Sequence, residues 1–145
     1  MTASPSATPS ATPAAWGVTL LRLSLGTMWI AHALLKLVVF TLPGTAQFFA
    51  GIGIPGWLAY PVFAAELIGG LAILLGVYAR QVSLALVPVM AAAAWVHLPN
   101  GWVFSNANGG WEYPVFLAVA SIALWLLGDG AAAFKRSRLL VPHAA

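Results

Sequence analysis

The chain has 145 residues, 61% hydrophobic and 6% charged, with a mean hydropathy of +0.93. A soluble domain carries roughly 25% charge, so this composition excludes an ordinary soluble fold and leaves room for one membrane domain of about four crossings. Six Lys and Arg against three Asp and Glu are too few to make a nucleic-acid surface, and the absence of cysteine excludes disulfides, thiolate metal sites and dithiol exchange within the chain.

Residues 1–15 are an uncharged Ser/Thr/Ala/Pro tract in which Ser-Ala-Thr-Pro occurs at 6–9 and again at 10–13. Such a segment buries nothing and is expected to be disordered. No Lys or Arg precedes the apolar run, which argues against a signal peptide. A first crossing is predicted from Trp16 to Phe40 and is stopped by Leu42-Pro43-Gly44. The connection Thr41 to Gly56 follows, apolar enough through Phe48, Phe49, Ile52 and Ile54 to lie in the interface or fold back on the bundle. The second crossing is Trp57 to Tyr78; because Pro61 fits only a first turn, its regular helix is expected nearer Tyr60. After a minimal turn at Ala79 to Gln81, a short third crossing runs from Val82 to Leu98 with a kink expected at Pro88. The loop Pro99 to Glu112 leads to a fourth, Tyr113 to Leu127, with Pro114 in its first turn and Asp129-Gly130 closing it. Residues 131–145 form a basic tail.

Fold class follows as all-α, a four-transmembrane-helix bundle with both termini on one side. Arg22, Arg80, Lys135, Arg136 and Arg138 fall on that side and only Lys36 near the other. The excess of cations on cytoplasmic segments then places both termini in the cytoplasm. Trp57, Trp95, Trp102 and Trp111 gather at the opposite interface as an aromatic belt. The two long connections also lie there, so any chemistry is expected to face outward.

Glu66 is the most informative side chain. It lies nine residues from Trp57 and twelve from Tyr78, roughly 13 and 18 Å from the two ends at about 1.5 Å per residue. A carboxylate at such depth must be protonated, paired or hydrated, and by default it marks a functional site. His32 on the first crossing stands at a similar depth, within about a turn; Lys36, one helical turn further out, can reach down to it, and Arg22 shares their face. A His32–Glu66 or Lys36–Glu66 contact would give the carboxylate a partner. His97 and Glu112 complete a candidate outward-facing cluster of Glu66, His32, Lys36, Arg22, His97 and Glu112, with Asn100, Asn106 and Asn108 nearby. Three readings stay open. Glu66 serves as a structural polar residue; or the cluster lines a small-molecule or quinone-headgroup pocket; or His32, Glu66, His97 and Glu112 hold a metal. The last lacks any His-x-x-x-His or Glu-x-x-His pair to support it.

Several stretches resemble one family. Leu21-Arg22-Leu23-Ser24-Leu25-Gly26, followed ten residues later by Lys36, is similar to the first-helix pattern of the DoxX family of bacterial membrane proteins. Phe49 to Pro55 (FAGIGIP) resembles that family's loop before the second helix. Ala65-Glu66-Leu67-Ile68-Gly69-Gly70, then Leu75-Gly76 and Arg80, resembles its second-helix motif, the most specific of the set. Asn108 to Pro114 (NGGWEYP) and Gly128-Asp129-Gly130 resemble the segments around its fourth helix, so the resemblance spans about residues 16–130.

The resemblance implies a multi-pass protein of the bacterial cytoplasmic membrane, with Arg22, Lys36, Glu66, Arg80 and Glu112 as signature positions. Relatives are associated with thiosulfate:quinone oxidoreduction and with membrane oxidoreductase complexes that handle oxidative stress. A membrane subunit supporting redox chemistry is therefore expected, binding quinone or anchoring an oxidoreductase partner, alone or as a homo-oligomer. Without cysteine, electron transfer would need a quinone, a partner subunit or both. The alternative is a non-catalytic scaffold or small-solute conduit in which Glu66 is structural.

Overall fold

The structure, a computed structural model, describes residues 12–138. The expected disorder of residues 1–11 lies outside them. At 12–15 the expectation is corrected, because Thr12 caps a helix. Its hydroxyl accepts from the Ala15 N–H at 3.2 Å, and Pro13 takes the first helical position, where a missing N–H costs nothing. Helix α1 (Pro13–Leu34) continues into one π-helical stretch, Leu35–Val39, so the crossing starts three residues before Trp16 and ends at the predicted stop.

The connection after it contains a helix of its own, α2 (Leu42–Gly51), capped by the Thr41 hydroxyl at the Gly44 N–H. It packs on the turn Gly56–Leu58 and on the helix that follows. Helix α3 (Ala59–Leu75) begins one residue before Tyr60, with Pro61 in its first turn, and ends at Gly76 in the left-handed conformation. Helix α4 (Ala79–His97) begins three residues ahead of Val82 and continues on both sides of Pro88. Helix α5 (Glu112–Leu127) has 16 residues, about 24 Å by its rise. The continuous spans Pro13–Val39, Gly56–Leu75 and Ala79–Asn100 are long and apolar enough to cross a membrane, and α5 is shorter.

Helix α1 packs along α3, α3 along α4, α4 along α5, and α5 returns to α1. Leu25 and Trp29 from α1, Ile73 from α3, Leu86 and Met90 from α4, and Leu117, Ala120 and Leu124 from α5 form the buried core. Small residues let the α1 and α3 backbones meet closely: a Cβ on Gly26 would stand 2.7 Å from the Leu74 nitrogen, and one on Gly70 2.9 Å from the Trp29 Cβ. The outer face is apolar, with Leu20, Ile68 and Phe116 each about two-thirds exposed. A surface of this kind is stable against lipid and not against water. The protein is therefore a multi-pass helical membrane protein.

Both ends of the described chain lie at one end of the bundle. The Ala131 N–H donates to the Ala15 carbonyl at 3.1 Å, and residues 134 and 135 donate to the Leu75 and Gly76 carbonyls at 3.2 and 2.9 Å. Residues 131–137, the first part of the expected basic tail, are thus docked against the helix ends.

Candidate functional site

Glu66 is 1% exposed on α3 and receives the Lys36 ammonium on both oxygens, at 2.9 and 2.7 Å. Of the two contacts open from the sequence, this is the one that forms. The Lys36 side chain keeps 19% of its surface, so its ammonium stem runs from the surface inward to the carboxylate. The π-helical stretch Leu35–Val39 carries it. An added residue in a helical turn re-aims the side chains on it, and such turns recur at functional sites. One turn earlier, His32 faces α5 instead. Its Nε2 lies 3.2 Å from the Tyr113 hydroxyl, and the two rings stack with centroids 5.3 Å apart. The end of α1 thereby reaches α3 through Lys36 and α5 through His32.

Beside Tyr113 the surface forms an open, mostly apolar groove of about 470 Å³ between Trp102, Phe104, Glu112 and Phe116. A second groove of about 360 Å³, lined by Met90, Ala94, Trp95 and Leu98, shares Val115 and Val119 with it and lies between α4 and α5. The arrangement can exchange a proton at the Tyr113–His32 pair and donate hydrogen bonds from Lys36 to a carbonyl or anion.

The remaining predicted members are placed elsewhere. Arg22 is corrected out of the cluster. It lies 14 residues before Lys36, about 21 Å along the helix at its usual rise, at the end that holds the chain termini. There it is 2% exposed, and its Nη2 donates to the Ala132 carbonyl at 2.7 Å. Its guanidinium sits where any side chain on Gly76 would have to go. His97 turns back on its own helix, its Nδ1 donating to the Ala93 carbonyl at 2.7 Å. Glu112 accepts from the Phe104 N–H at 2.9 Å. The amides serve the same connection: Asn100 donates to the Asn108 carbonyl and Asn106 to the Asn100 carbonyl, at 3.1 and 2.8 Å. Trp102 and Trp111 close it edge to face at 4.4 Å. Glu112 and these asparagines therefore order the 98–112 segment, and His97 is bound within its own helix, rather than surrounding Glu66. Among the described residues, no three His, Asp or Glu side chains converge, so the ligands of the metal reading are not assembled.

Arg80 and Asp129 build the opposite end. The Arg80 guanidinium donates to the Trp125 and Leu126 carbonyls at 2.7 and 2.8 Å, capping α5. Asp129 accepts the Arg80 N–H at 3.1 Å, capping α4, and holds Ser137 through two contacts of 2.8 Å. Sequence reasoning missed Tyr113 as a site residue and read Asp129 as a helix stop and part of a family motif, not as a cap. The available signals were a phenol in the first turn of a membrane helix, and an acid in a chain that has only three.

The DoxX family model matches residues 17–98, which contain Arg22, His32, Lys36, Glu66, Arg80 and His97 and end before Glu112, Tyr113 and Asp129. The chain is 34% identical over 113 residues to "Putative oxidoreductase CatD" of Bacillus subtilis (strain 168), an alignment covering 78% of this chain and 80% of that protein. No solved structure matches it.

Proposed function

The chain belongs to the DoxX family, and on that footing we propose that it is a membrane subunit supporting redox chemistry in the bacterial cytoplasmic membrane. Both termini face the cytoplasm. The chain binds a quinone headgroup at the Lys36–Glu66 end of the bundle, or anchors an oxidoreductase partner there. The observation that carries the reading is the Lys36–Glu66 pair itself. Two charges taken out of water rarely stabilise a bundle more than well-packed apolar residues would, and ionisable groups at membrane depth mark ligand or proton paths.

Quinone reduction takes up two electrons and two protons. The residues at this end address the protons and the carbonyls, with Lys36 donating to one oxygen and Tyr113, backed by His32, exchanging a proton. The partner subunit supplies the electrons. The test is mass spectrometry of gently solubilised protein. Quinone is expected in the extract, with at least a tenfold loss on Glu66→Gln at unchanged helix content. Protein that carries none, and takes up none on titration, would remove the proposal.

A second reading has its own support, because Glu66 is almost fully buried and already satisfied on both oxygens. In it the chain is a non-catalytic scaffold or small-solute conduit and the pair is structural. Glu66→Gln would then lower the melting temperature and alter no redox titration.

A further inference from the structure

The described residues end in a short cationic stretch that the redox reading does not use. Phe134 is 87% exposed, the most exposed large apolar side chain among the described residues. Lys135, Arg136 and Arg138 follow it, all exposed. The stretch is held in place. Phe134 and Lys135 donate to the Leu75 and Gly76 carbonyls, Tyr78 donates to the Lys135 carbonyl at 2.8 Å, and Ser137 is bound to Asp129. The Lys135 ammonium stands 4.9 Å over the Tyr78 ring. Little ordering entropy therefore remains to be lost when a ligand arrives.

No acid is available to neutralise these cations. The chain has three acids. Glu66 is held by Lys36, Glu112 lies at the far end on the Phe104 N–H, and Asp129 is 6% exposed and occupied by Ser137 and the Arg80 N–H. The height of the patch identifies its surroundings. Its backbone bonds to Leu75, the last residue of α3, and Ile68, Leu71 and Leu75 form one exposed row on that helix at 67, 43 and 60%. Such a row faces acyl chains, so Phe134 stands where acyl chains meet headgroups. An aromatic in the boundary beside clustered cations is the chemistry that holds anionic lipid.

We propose that Phe134, Lys135, Arg136 and Arg138 form a binding site for an anionic phospholipid, the ring seated at the acyl boundary and the cations on the phosphate. The site is independent of the Lys36–Glu66 end and of any quinone. A soluble acidic protein would meet the cations but would leave Phe134 level with lipid, so the lipid is the better fit.

The test uses the delipidated full chain in neutral detergent, with phosphatidylglycerol and phosphatidylcholine of identical acyl chains competing in native mass spectrometry. Each near-surface Lys or Arg contributes about fivefold (~1 kcal/mol at about 1.4 kcal/mol per decade). Phosphatidylglycerol is therefore expected to prevail by at least about tenfold. K135Q/R136Q/R138Q should bring the ratio to within about twofold at an unchanged melting temperature. If that variant does not fold, salt reads the same interaction in the natural chain. Raising it from 0.1 to 1 M shortens the screening length from about 10 to about 3 Å and should erase the preference. Equal retention of the two lipids overturns the proposal, as does a preference that survives both the substitutions and the salt. Full displacement by inorganic phosphate would make this a free-anion site. A photo-crosslinker at position 134 that captures protein, with no lipid preference, would make it a protein-docking surface. Either result overturns the assignment.

Discussion

At the scale of single residues, the chain concentrates its electrostatics in a few contacts that cannot be removed one partner at a time. Glu66→Gln leaves the Lys36 ammonium without its anion. With Lys36 keeping some exposure, a loss of about 2–4 kcal/mol is expected, read as a lower melting temperature in detergent. The double variant Lys36→Met/Glu66→Leu should recover most of that loss, since it removes both charges and packs apolar atoms in their place. If its quinone content also recovers, the pair is structural and is not what holds the quinone. Gly76 is constrained twice over, by φ +71° and by the Arg22 guanidinium that occupies the space of a side chain. Gly76→Ala should therefore cost at least about 2 kcal/mol, visible in the same melt. A neutral result would mean that Arg22 can retract from its place against the turn.

Elements begin and end where their orphan backbone groups find partners, and four boundaries show it. Thr12 and Thr41 start α1 and α2 by accepting backbone N–H groups, which is why helix appears in a stretch read as disordered and in one read as a loop. Arg80 and Asp129 exchange caps between neighbouring helices, a cation on the last carbonyls of α5 and an anion at the first turn of α4. Each charge meets the favourable end of a helix dipole. Arg80→Met should free the Trp125 and Leu126 carbonyls, with a loss of about 1–3 kcal/mol. Hydrogen exchange should report it as faster exchange confined to the last turn of α5 and the start of α4. Uniformly faster exchange throughout the bundle would contradict a local cap.

The molecule as a whole is a closed ring of four helices, with chemistry-bearing groups split between its two ends. Lys36, Glu66, His32 and Tyr113 occupy one end. Arg22, Arg80, Asp129 and the 131–137 segment occupy the other. Because the natural chain lacks cysteine, single introduced thiols report sidedness without background. Ala107→Cys, on the exposed outer connection, should react with an impermeant maleimide in intact cells. Ala132→Cys should react only after permeabilisation. Labelling of both from one side would refute the topology.

The membrane class, the all-helical bundle and the rough helix limits were legible in the sequence, because each depends on composition and on local breakers such as Pro43, Pro61 and Asp129-Gly130. That Glu66 would find a partner on the first crossing was also legible from helical rise, with His32 and Lys36 both open; the packed bundle chose Lys36. The destinations of the other polar residues were not. Arg22 and Lys36 were already legible near opposite ends of one helix; grouping them in one cluster rested on their shared face, which says nothing about distance along the axis. Tyr113 became visible only when α5 closed the ring against α1. Glu112 and the asparagines were absorbed by a connection whose backbone needed hydrogen-bond partners, and His97 by a carbonyl of its own helix. Helices follow from nearby residues and their environment, whereas side-chain partners depend on how distant helices are rotated and slid, which is decided when the whole bundle packs.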